Sequence, residues 1–320
     1  MSVVPRHVLS IADLSRPDIE RILGLTARCK RGRTAFARAL AGKTVALVFE
    51  KPSTRTRLAT EVACARLGAA SVTLAGGDLQ LGRGETLEDS ARIFSRFVDA
   101  VCWRTAGHDR LEAFARASAV PVVNTLSDLE HPTQILSDLF TIRERRHGKR
   151  GWPALAFVGD GGNNMAHSWL LAAARLGMDL RIAHPSGYAP DPAVLRRARA
   201  EAARTGARLT VTRDPAAAAT GAGVLYTDVW VSMGQDAGRA ARLKAFRGYG
   251  IDRRLLARAA AGAFVMHCLP AHRGEEIAAD VTDGPRSVVW DQAENRVHST
   301  AAILLWCLGT RPSTALRASA

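Results

Sequence analysis

The stretch TVALVFEKPSTRTRLATEVACARLG, residues 44–68, decides the fold class because its pattern changes halfway along. TVALVFE is an apolar, strand-like run, and LATEVACARLG is a helix-like run. Two arginines and three hydroxyl side chains stand between them, from Ser53 to Arg57. A strand that leads into a helix is the repeating unit of proteins built on parallel sheets.

Strand-like and helical patterns alternate along the rest of the chain as well. Helical segments include 85–97, 108–118, 164–176 and 190–204. The strand-like runs are, in chain order, 44–50, 70–76, 99–105, 120–125, 154–160, 179–185, 208–214, 223–229, 263–269 and 287–292. We therefore predict an α/β fold with two domains, each a parallel β-sheet flanked by helices, which divide near RERRHGKRGWP at 143–153.

The 320 residues carry a formal net charge of +14, which is compatible with a nucleic-acid-binding protein. Most positive residues, however, are arginines in Ala-, Arg- and Gly-rich segments such as VLRRARAEAARTGAR and ARLKAFRG, which we interpret as solvated helix faces. No nucleic-acid motif or aromatic stacking set accompanies them, so dispersed surface charge is the favoured interpretation. An anionic small substrate would also suit a positive field.

Five cysteines, an odd number, are scattered along the chain, and no CxxC or His-rich spacing suggests a metal site. This pattern favours reduced thiols in a cytoplasmic protein. The N-terminal residues contain no apolar core of signal-peptide length, and no run approaches the length of a membrane helix.

KPSTRTR follows the first strand-like run, and ligands of open parallel sheets bind at the carboxyl ends of the strands. A helix that begins near Ser53 presents free backbone N–H groups, and Arg55 and Arg57 add forked donors suited to phosphate oxygens. The stretch lacks the G-x-x-x-x-G-K-[ST] pattern of the nucleotide P-loop. We favour an anion site over a capped helix with surface arginines, but this stretch alone does not name the anion.

HPTQ, at 131–134, opens the helical segment HPTQILSDLFTIRER. His131 precedes Pro132 and therefore takes an extended or turn conformation just before the helix. His131 and Gln134 can aim donors at a carbonyl oxygen. A histidine that only caps the helix fits the local pattern equally well.

GDGGNN resembles a dinucleotide fingerprint but departs from it in detail. Gly159 and Gly161 fit the first two glycines, whereas Asn164 takes the third position. The following strand, DLRIAHP, does not end in the acidic residue that holds a ribose, so a nicotinamide site is disfavoured. A helix N-terminus with Asn163 and Asn164 can hold a carboxylate instead.

DVWVSMG and HCLPAHRGEE follow two later strand-like runs. Asp228 can pair with an ammonium group, or it can be an ordinary turn residue, and SMG forms a flexible turn. Cys268 next to His267 is compatible with a cysteine nucleophile. Adjacent strand residues point to opposite faces, however, so we favour a polar contact for Cys268 over covalent catalysis.

Taken together and in this order, these motifs resemble those of the ornithine carbamoyltransferases, in the aspartate/ornithine carbamoyltransferase superfamily. The resemblance runs from about Leu9 to Gly309. STRTR and HPTQ are shared with aspartate carbamoyltransferases, whereas DVWVSMG and HCLPAHRGEE distinguish the ornithine enzymes. The motifs that carry the resemblance are FEKPSTRTR, WRT, NTLSDLEHPTQ, GDGGNN, DVWVSMG, FVMHCLPAHRGEE and DQAENRVH.

The resemblance implies roles for individual residues. Those expected to bind carbamoyl phosphate are Ser53, Thr54, Arg55, Thr56, Gln80, Arg104, His131, Pro132, Thr133, Gln134, Cys268, Leu269 and Arg296. Those expected to bind L-ornithine are Asn164, Asp228, Ser232 and Met233. The catalytic set is expected to be Arg104, His131, Asp228 and Cys268.

The resemblance also implies how the chain is organised. It predicts a carbamoyl-phosphate-binding domain of residues 1–145 plus a C-terminal helix, 297–320, and an ornithine-binding domain of residues 146–296, linked by two interdomain helices. Gln80 is expected to act across a subunit boundary, in a homotrimer or a multiple of one. The expected reaction transfers the carbamoyl group of carbamoyl phosphate to the δ-amine of L-ornithine, giving L-citrulline and phosphate. It belongs to arginine metabolism and needs no cofactor and no metal. A carbamoyltransferase for another amine, such as putrescine or aspartate, and a basic nucleic-acid-binding protein are the alternatives.

Overall fold

The computed structural model describes residues 5–32, 34, 36–82, 84–147, 151–231 and 238–309. The chain forms two compact units. Unit 1 comprises residues 1–142 and 294–320, and unit 2 comprises residues 143–293. The divisions therefore fall after Ile142 and after Ala293. The family resemblance led us to expect them after residues 145 and 296.

Each unit contains one parallel β-sheet, as the alternating pattern predicts. Unit 1 has four strands in the order β2-β1-β3-β4, and unit 2 has five in the order β7-β6-β5-β8-β9. The strands are β1 Thr44–Phe49, β2 Ala70–Ala75, β3 Ala100–Arg104, β4 Val122–Leu126, β5 Leu155–Val158, β6 Asp179–Ala183, β7 Arg208–Thr212, β8 Val224–Thr227 and β9 Phe264–His267. Central strands are buried on both faces, which explains why they are continuous apolar runs.

Helices follow most of the strands and flank the sheets. The α-helices are α1 Arg16–Arg31, α2 Thr54–Leu67, α3 Leu87–Phe97, α4 His108–Ala117, α5 Pro132–Arg145, α6 Asn164–Leu176, α7 Pro192–Thr205, α8 Pro215–Ala219, α9 Arg239–Ala245, α10 Arg253–Arg258, α11 Ala279–Thr282 and α12 Val289–Leu308. The two unit divisions fall within α5 and within α12. None of the helices in the described part of the chain has the length and hydropathy that crossing a membrane requires.

The run at 287–292 is not a tenth strand, and this prediction was wrong. Only Ser287 bridges to Val265 of β9, and helix α12 begins at Val289. The last four of these six residues open a longer segment, VWDQAENRVHSTAAILLWCL, whose apolar residues recur at helical spacing. Arg296 consequently lies about two turns inside α12 rather than at its start.

The helix that follows β1 begins and ends as its sequence dictates. Ser53 is the N-cap of α2, and its Oγ accepts a hydrogen bond from the N–H of Thr56 at 3.3 Å. Gly68 ends the helix in the left-handed conformation, with φ of 75°. A Cβ at Gly68 would lie 2.7 Å from the carbonyl oxygen of Ala37, so no larger residue fits without a shift. The cap fixes the position at which α2 presents its first N–H groups.

Candidate active site

In unit 1, the first turn of α2 forms a cradle of donors at the carboxyl end of β1. Ser53 and Arg55 are half-buried, Thr54 is exposed and Thr56 is buried. The first N–H groups of a helix have no acceptor within the helix, and the helix dipole adds positive potential. The arrangement suits an anion such as a phosphate group.

Arg55 and Arg57 differ in what they contact. Arg57 Nε donates to Glu61 Oε1 at 2.9 Å, and Glu61 also accepts from Thr73 Oγ1 at 2.8 Å. The hydrogen bond from Arg57 lowers the pKa of Glu61, so the pair stays ionised. Arg55 has no partner among the residues that the structure describes. Its guanidinium is therefore available to a ligand, whereas that of Arg57 is engaged within α2 by Glu61, the residue that links α2 to β2 through Thr73.

Arg296 reaches the cradle from α12, 240 residues further along the chain. Its Nη2 donates to Thr56 Oγ1 at 2.9 Å, and the side chain is buried. The preceding residue, Asn295, donates to Thr141 Oγ1 at 3.0 Å and accepts from Lys30 Nζ at 2.8 Å. These bonds hold this turn of α12 in place, and with it the guanidinium of Arg296.

Arg104 lies at the end of β3, beside the cradle. Its partner in the register of the sheet is Phe49, the last residue of β1, so both strands end at the same edge. The Glu50 carboxylate ties the two ends together, because it accepts from Thr105 Oγ1 at 2.5 Å and from Arg110 Nη2 at 3.0 Å. Arg104 itself is 7% exposed.

His131 is buried and lies within the electrostatic influence of Arg296 and Arg104. Burial lowers its pKa well below the ordinary value, and the charges of Arg296 and Arg104 lower it further. The imidazole is therefore neutral at physiological pH. Its Nδ1 lies 3.3 Å from Thr133 Oγ1. A neutral imidazole near these guanidinium groups can donate a hydrogen bond to a carbonyl oxygen without adding a third charge.

Two other residues expected at the carbamoyl phosphate site lie as follows. Gln134 is buried in the first turn of α5, which begins at Pro132, and its Nε2 donates to Asp138 Oδ1 at 2.8 Å. One of its two amide hydrogens is therefore already engaged. Gln80 is exposed, in a 3-10 helix, Gln80–Gly82, that follows β2.

In unit 2, Asp228 follows β8 and is held by three donors. Its Oδ1 accepts from the N–H of Val229 at 2.8 Å and from Cys268 Sγ at 3.0 Å. Its Oδ2 accepts from Asn163 Nδ2 at 3.2 Å. Burial raises the pKa of Asp228, and the hydrogen bonds from Cys268 and Val229 partly offset that effect. A buried carboxylate of this kind can orient an amine or accept a proton.

Asn163, the neighbour of the predicted Asn164, contacts Asp228 directly. Asn163 is the N-cap of α6, and its Oδ1 accepts from the N–H of Ala166 at 2.8 Å. Asn164 is the first residue of the helix. Ser232 and Met233, which we expected to bind ornithine, lie outside the described residues.

His267 supports the turn that carries Cys268 and Leu269. Its Nδ1 accepts from the N–H of Leu269 at 2.8 Å, and its Nε2 lies 3.1 Å from Glu276 Oε1. The first bond makes Nδ1 the acceptor, so Nε2 carries the proton and donates it to the carboxylate. Both ring nitrogens are engaged, which leaves neither as a base for the Cys268 thiol. Leu269 itself takes the left-handed conformation, with φ of 59°.

Arg242 contributes to the site in unit 2, and the sequence interpretation missed it. ARLKAFRG suggested a solvated face, yet Phe246 is fully buried and Arg242 is engaged. Arg242 Nε donates to the carbonyl of Trp230 at 2.7 Å, and Nη2 pairs with the Asp160 carboxylate. The guanidinium also lies over the Tyr188 ring, 4.8 Å from its centroid. It therefore joins the GDGGNN loop to the strand end that bears Asp228.

The chain matches two family models that together span most of its length. The model described as "Aspartate/ornithine carbamoyltransferase, carbamoyl-P binding domain" matches residues 6–144. The one described as "Aspartate/ornithine carbamoyltransferase, Asp/Orn binding domain" matches residues 153–307. The first range contains the cradle, Arg104 and His131, and the second contains Asp228 and Cys268.

Relatives and solved structures agree with these matches. The chain is 50% identical over 311 residues to the ornithine carbamoyltransferase of Rhodococcus opacus (strain B4), an alignment that covers 97% of this chain and 98% of that protein. It is 53% identical over 304 residues to that of Acidothermus cellulolyticus, covering 95% and 96%. The solved ornithine carbamoyltransferase from Pyrococcus furiosus superposes with a TM-score of 0.91 at 45% identity, covering 97% of this chain and 99% of that one. The chain therefore belongs to the aspartate/ornithine carbamoyltransferase family and is a carbamoyltransferase.

Proposed function

We propose that this enzyme transfers the carbamoyl group of carbamoyl phosphate to the δ-amine of L-ornithine, which yields L-citrulline and phosphate, and that it acts in arginine metabolism. The observation that carries the proposal is the buried group of Arg104, His131 and Arg296 beside the N-terminus of α2 in unit 1. The names of the similar proteins support the choice of acceptor.

Carbamoyl phosphate needs donors at its phosphate and at its carbonyl oxygen. The N–H groups of α2, the hydroxyls of Ser53 and Thr54, and the Arg55 guanidinium suit the phosphate, which is the leaving group. Arg104 and neutral His131 suit the carbonyl oxygen, where negative charge grows as the amine attacks. A preorganised donor of this kind contributes on the order of 3 kcal/mol to transition-state stabilisation. The proposed step is direct attack, with no covalent enzyme intermediate.

The acceptor must react as a neutral amine, although an alkylamine titrates near pH 10.4 and is mostly protonated at pH 7. Asp228 and Cys268 are the groups proposed to orient the amine and to handle its proton. Asp228 is buried and has a raised pKa, so it is closer than an exposed carboxylate to the range in which a base accepts a proton. Cys268 contacts it directly through Sγ.

The same carboxylate bears on the choice among acceptors. A buried anion favours an acceptor that carries an ammonium group and disfavours aspartate, which has two carboxylates. Putrescine has the amine but no carboxylate for the N-terminus of α6 and the Asn163 and Asn164 side chains. L-Ornithine offers both groups, with Asn164 and Asp228 as proposed contacts together with Ser232 and Met233.

We also propose that the enzyme is a homotrimer or a multiple of one. Among the residues that the structure describes, unit 1 exposes five large apolar side chains, which an interface between copies would bury. They are Leu58, Val62, Val72, Ile93 and Phe97, and Phe97 is 77% exposed. Val72 lies on β2, one of the two edge strands of the sheet. Gln80 follows that strand, and its exposure fits a residue that completes the site of a neighbouring copy.

A citrulline assay against a panel of acceptors tests the proposed function. Carbamoyl phosphate is offered with L-ornithine, putrescine or L-aspartate, and each carbamoylated product is quantified by mass spectrometry. L-Ornithine should give the highest kcat/KM. A higher kcat/KM for putrescine or aspartate would make that compound the acceptor instead of L-ornithine. If the enzyme carbamoylates none of the three and binds DNA in a salt-dependent way, the nucleic-acid alternative is favoured.

A further inference from the structure

Three ligand-type atoms converge in the turn that follows the Cys268 loop. They are Nδ1 of His272, Oε2 of Glu275 and Oε2 of Glu276, and all three lie within 4.8 Å of one another. His272 Nδ1 is 3.9 Å from the Glu275 oxygen and 3.7 Å from the Glu276 oxygen. These separations are longer than a hydrogen bond.

Each of the three atoms is buried and has no hydrogen-bond partner among the residues that the structure describes. Glu276 shows this most sharply, because its side chain is fully buried. Its Oε1 accepts from His267 Nε2 and from the N–H of His272, whereas its Oε2 points toward His272 Nδ1 without a donor in reach. A buried carboxylate oxygen without a partner is costly, and a bound cation would relieve that cost.

The backbone of the turn holds the three side chains in place. The N–H of Glu275 donates to the carbonyl of His272 at 3.0 Å, and the N–H of Gly274 donates to the carbonyl of Ile277 at 2.9 Å. Gly274 has φ of 91°, which the tight turn needs. The ligand-type atoms are therefore presented by a fixed backbone rather than by a long loop.

We propose that His272, Glu275 and Glu276 bind a divalent cation of the first transition row. Two carboxylates and one imidazole form a mixed oxygen and nitrogen donor set, which suits ions such as Mn²⁺ and Zn²⁺. Ligands at about 2.0–2.1 Å from a tetrahedral Zn²⁺ lie about 3.4 Å apart, which is close to the 3.9 Å and 3.7 Å that separate His272 Nδ1 from the two carboxylate oxygens. Solvent reaches this turn, because His272 keeps 40% and Glu275 keeps 23% of its side chain exposed. This site is separate from the assignments of the proposed function and does not rest on them.

One positive group competes with the cation. Arg239 Nη2 pairs with Oε1 of Glu275, the oxygen that does not face the cluster. That guanidinium lowers the negative potential at the site, so its removal should strengthen cation binding. The variant Arg239→Gln is thus a control. It breaks the same ion pair as a change at Glu275, but it leaves all three proposed ligands in place.

Binding of Mn²⁺ to the whole enzyme tests the site. It is monitored through the decrease in the EPR signal of free Mn²⁺. The unchanged enzyme should bind one ion per chain. His272→Gln and Glu275→Gln should each weaken binding at least about tenfold, and Arg239→Gln should bind at least as tightly as the unchanged enzyme. Neither ligand change touches a residue assigned to catalysis, and circular dichroism checks that each variant is folded.

Three results would overturn the assignment. The first is no binding of Mn²⁺ by the unchanged enzyme, and the second is binding that survives both ligand changes. The third concerns Asp228, His267 and Cys268, whose ligand-type atoms also lie within 4.8 Å of one another. If Cys268→Ser abolishes Mn²⁺ binding and Glu275→Gln retains it, the ion binds at this second cluster instead.

Discussion

Cys268 Sγ donates a hydrogen bond to Oδ1 of Asp228 at 3.0 Å, at the ends of two neighbouring strands. In the register of β8 and β9, Thr227 pairs with His267. The next residues, Asp228 and Cys268, therefore lie side by side. The thiol stabilises the ionised form of a carboxylate whose pKa burial has raised. The contact therefore bears on the pH at which Asp228 becomes protonated.

Cys268→Ala removes that donor and should raise the pKa of Asp228 further. Loss of the ionised carboxylate would then begin at higher pH, so the acid limb of the kcat/KM profile for the amine should move upward. Activity at pH 7 should fall about 10- to 100-fold, as expected for the loss of a partner to a buried charge. Cys268→Ser keeps a donor and should retain most of the profile. An acid limb that stays in place in the alanine variant would remove Cys268 from this role.

Arg55→Lys should weaken carbamoyl phosphate binding and turnover together. Lysine keeps the charge but loses the fork that fits phosphate oxygens, so a loss of about 1.5–3 kcal/mol, roughly 10- to 100-fold in kcat/KM, is expected. Arg57→Lys is the matched control, because Arg57 is engaged with Glu61 and is more than half exposed. Its effect should be within a few-fold. Equal kinetics in the two variants would contradict the distinction between these arginines.

The cradle illustrates what the sequence could predict. In a parallel sheet the carboxyl ends of all strands meet at one edge, so KPSTRTR, WRT and HPTQ could be placed together from the strand pattern alone. The same rule placed Asp228 and Cys268 at strand ends in unit 2. The observed sheets bear out the α/β fold with two parallel sheets, and they contain the predicted strands except the run at 287–292.

Contacts made by residues far from those motifs could not be predicted. Arg242 sits in an Ala- and Arg-rich segment whose composition is that of a solvated surface, and only the fold brings it to Asp160, 82 residues away. The sequence interpretation assigned Asn164 to ornithine, and the contact of its neighbour Asn163 with Asp228 follows from the position of Asn163 as the cap of α6. Long-range packing determines which of these residues makes the contact, and local sequence patterns contain no information about that packing.

His131→Gln should make stability less sensitive to pH. The folded-state pKa of His131 lies well below 6.5, mainly because of burial, so below pH 6.5 the unfolded chain takes up a proton that the folded chain does not. That linkage lowers the unfolding free energy as pH falls, by at most about 1.4 kcal/mol per pH unit for one group. Urea unfolding at pH 7.5 and 5.5 should therefore show a smaller drop in the variant. His147→Gln, at an exposed position, should leave the drop unchanged, and the prediction fails if His131→Gln does so too.

Phe97→Asp should dissociate the assembly. A phenylalanine that becomes buried between copies contributes about 1.5–3 kcal/mol, and a carboxylate in the same place adds a desolvation cost. Light scattering coupled to size-exclusion chromatography should show smaller species at a concentration at which the unchanged enzyme is oligomeric. Trp290→Asp is the control, because Trp290 is also exposed, at 61%, but belongs to unit 2. Dissociation by the control alone would move the interface away from unit 1.

Arg242→Met should destabilise unit 2, because it leaves the Asp160 carboxylate without its partner and the Trp230 carbonyl without a donor. Both side chains of the ion pair are mostly buried, with 18% of Arg242 and 11% of Asp160 exposed. The loss of one partner should cost about 2–4 kcal/mol, somewhat less than for a fully buried pair. Asp160→Asn combined with Arg242→Met should recover part of that loss, since no charge is then stranded. Chemical unfolding of the two single variants and the double variant measures the coupling. Strictly additive losses would show that the two residues act independently and that Arg242 does not hold the GDGGNN loop through Asp160.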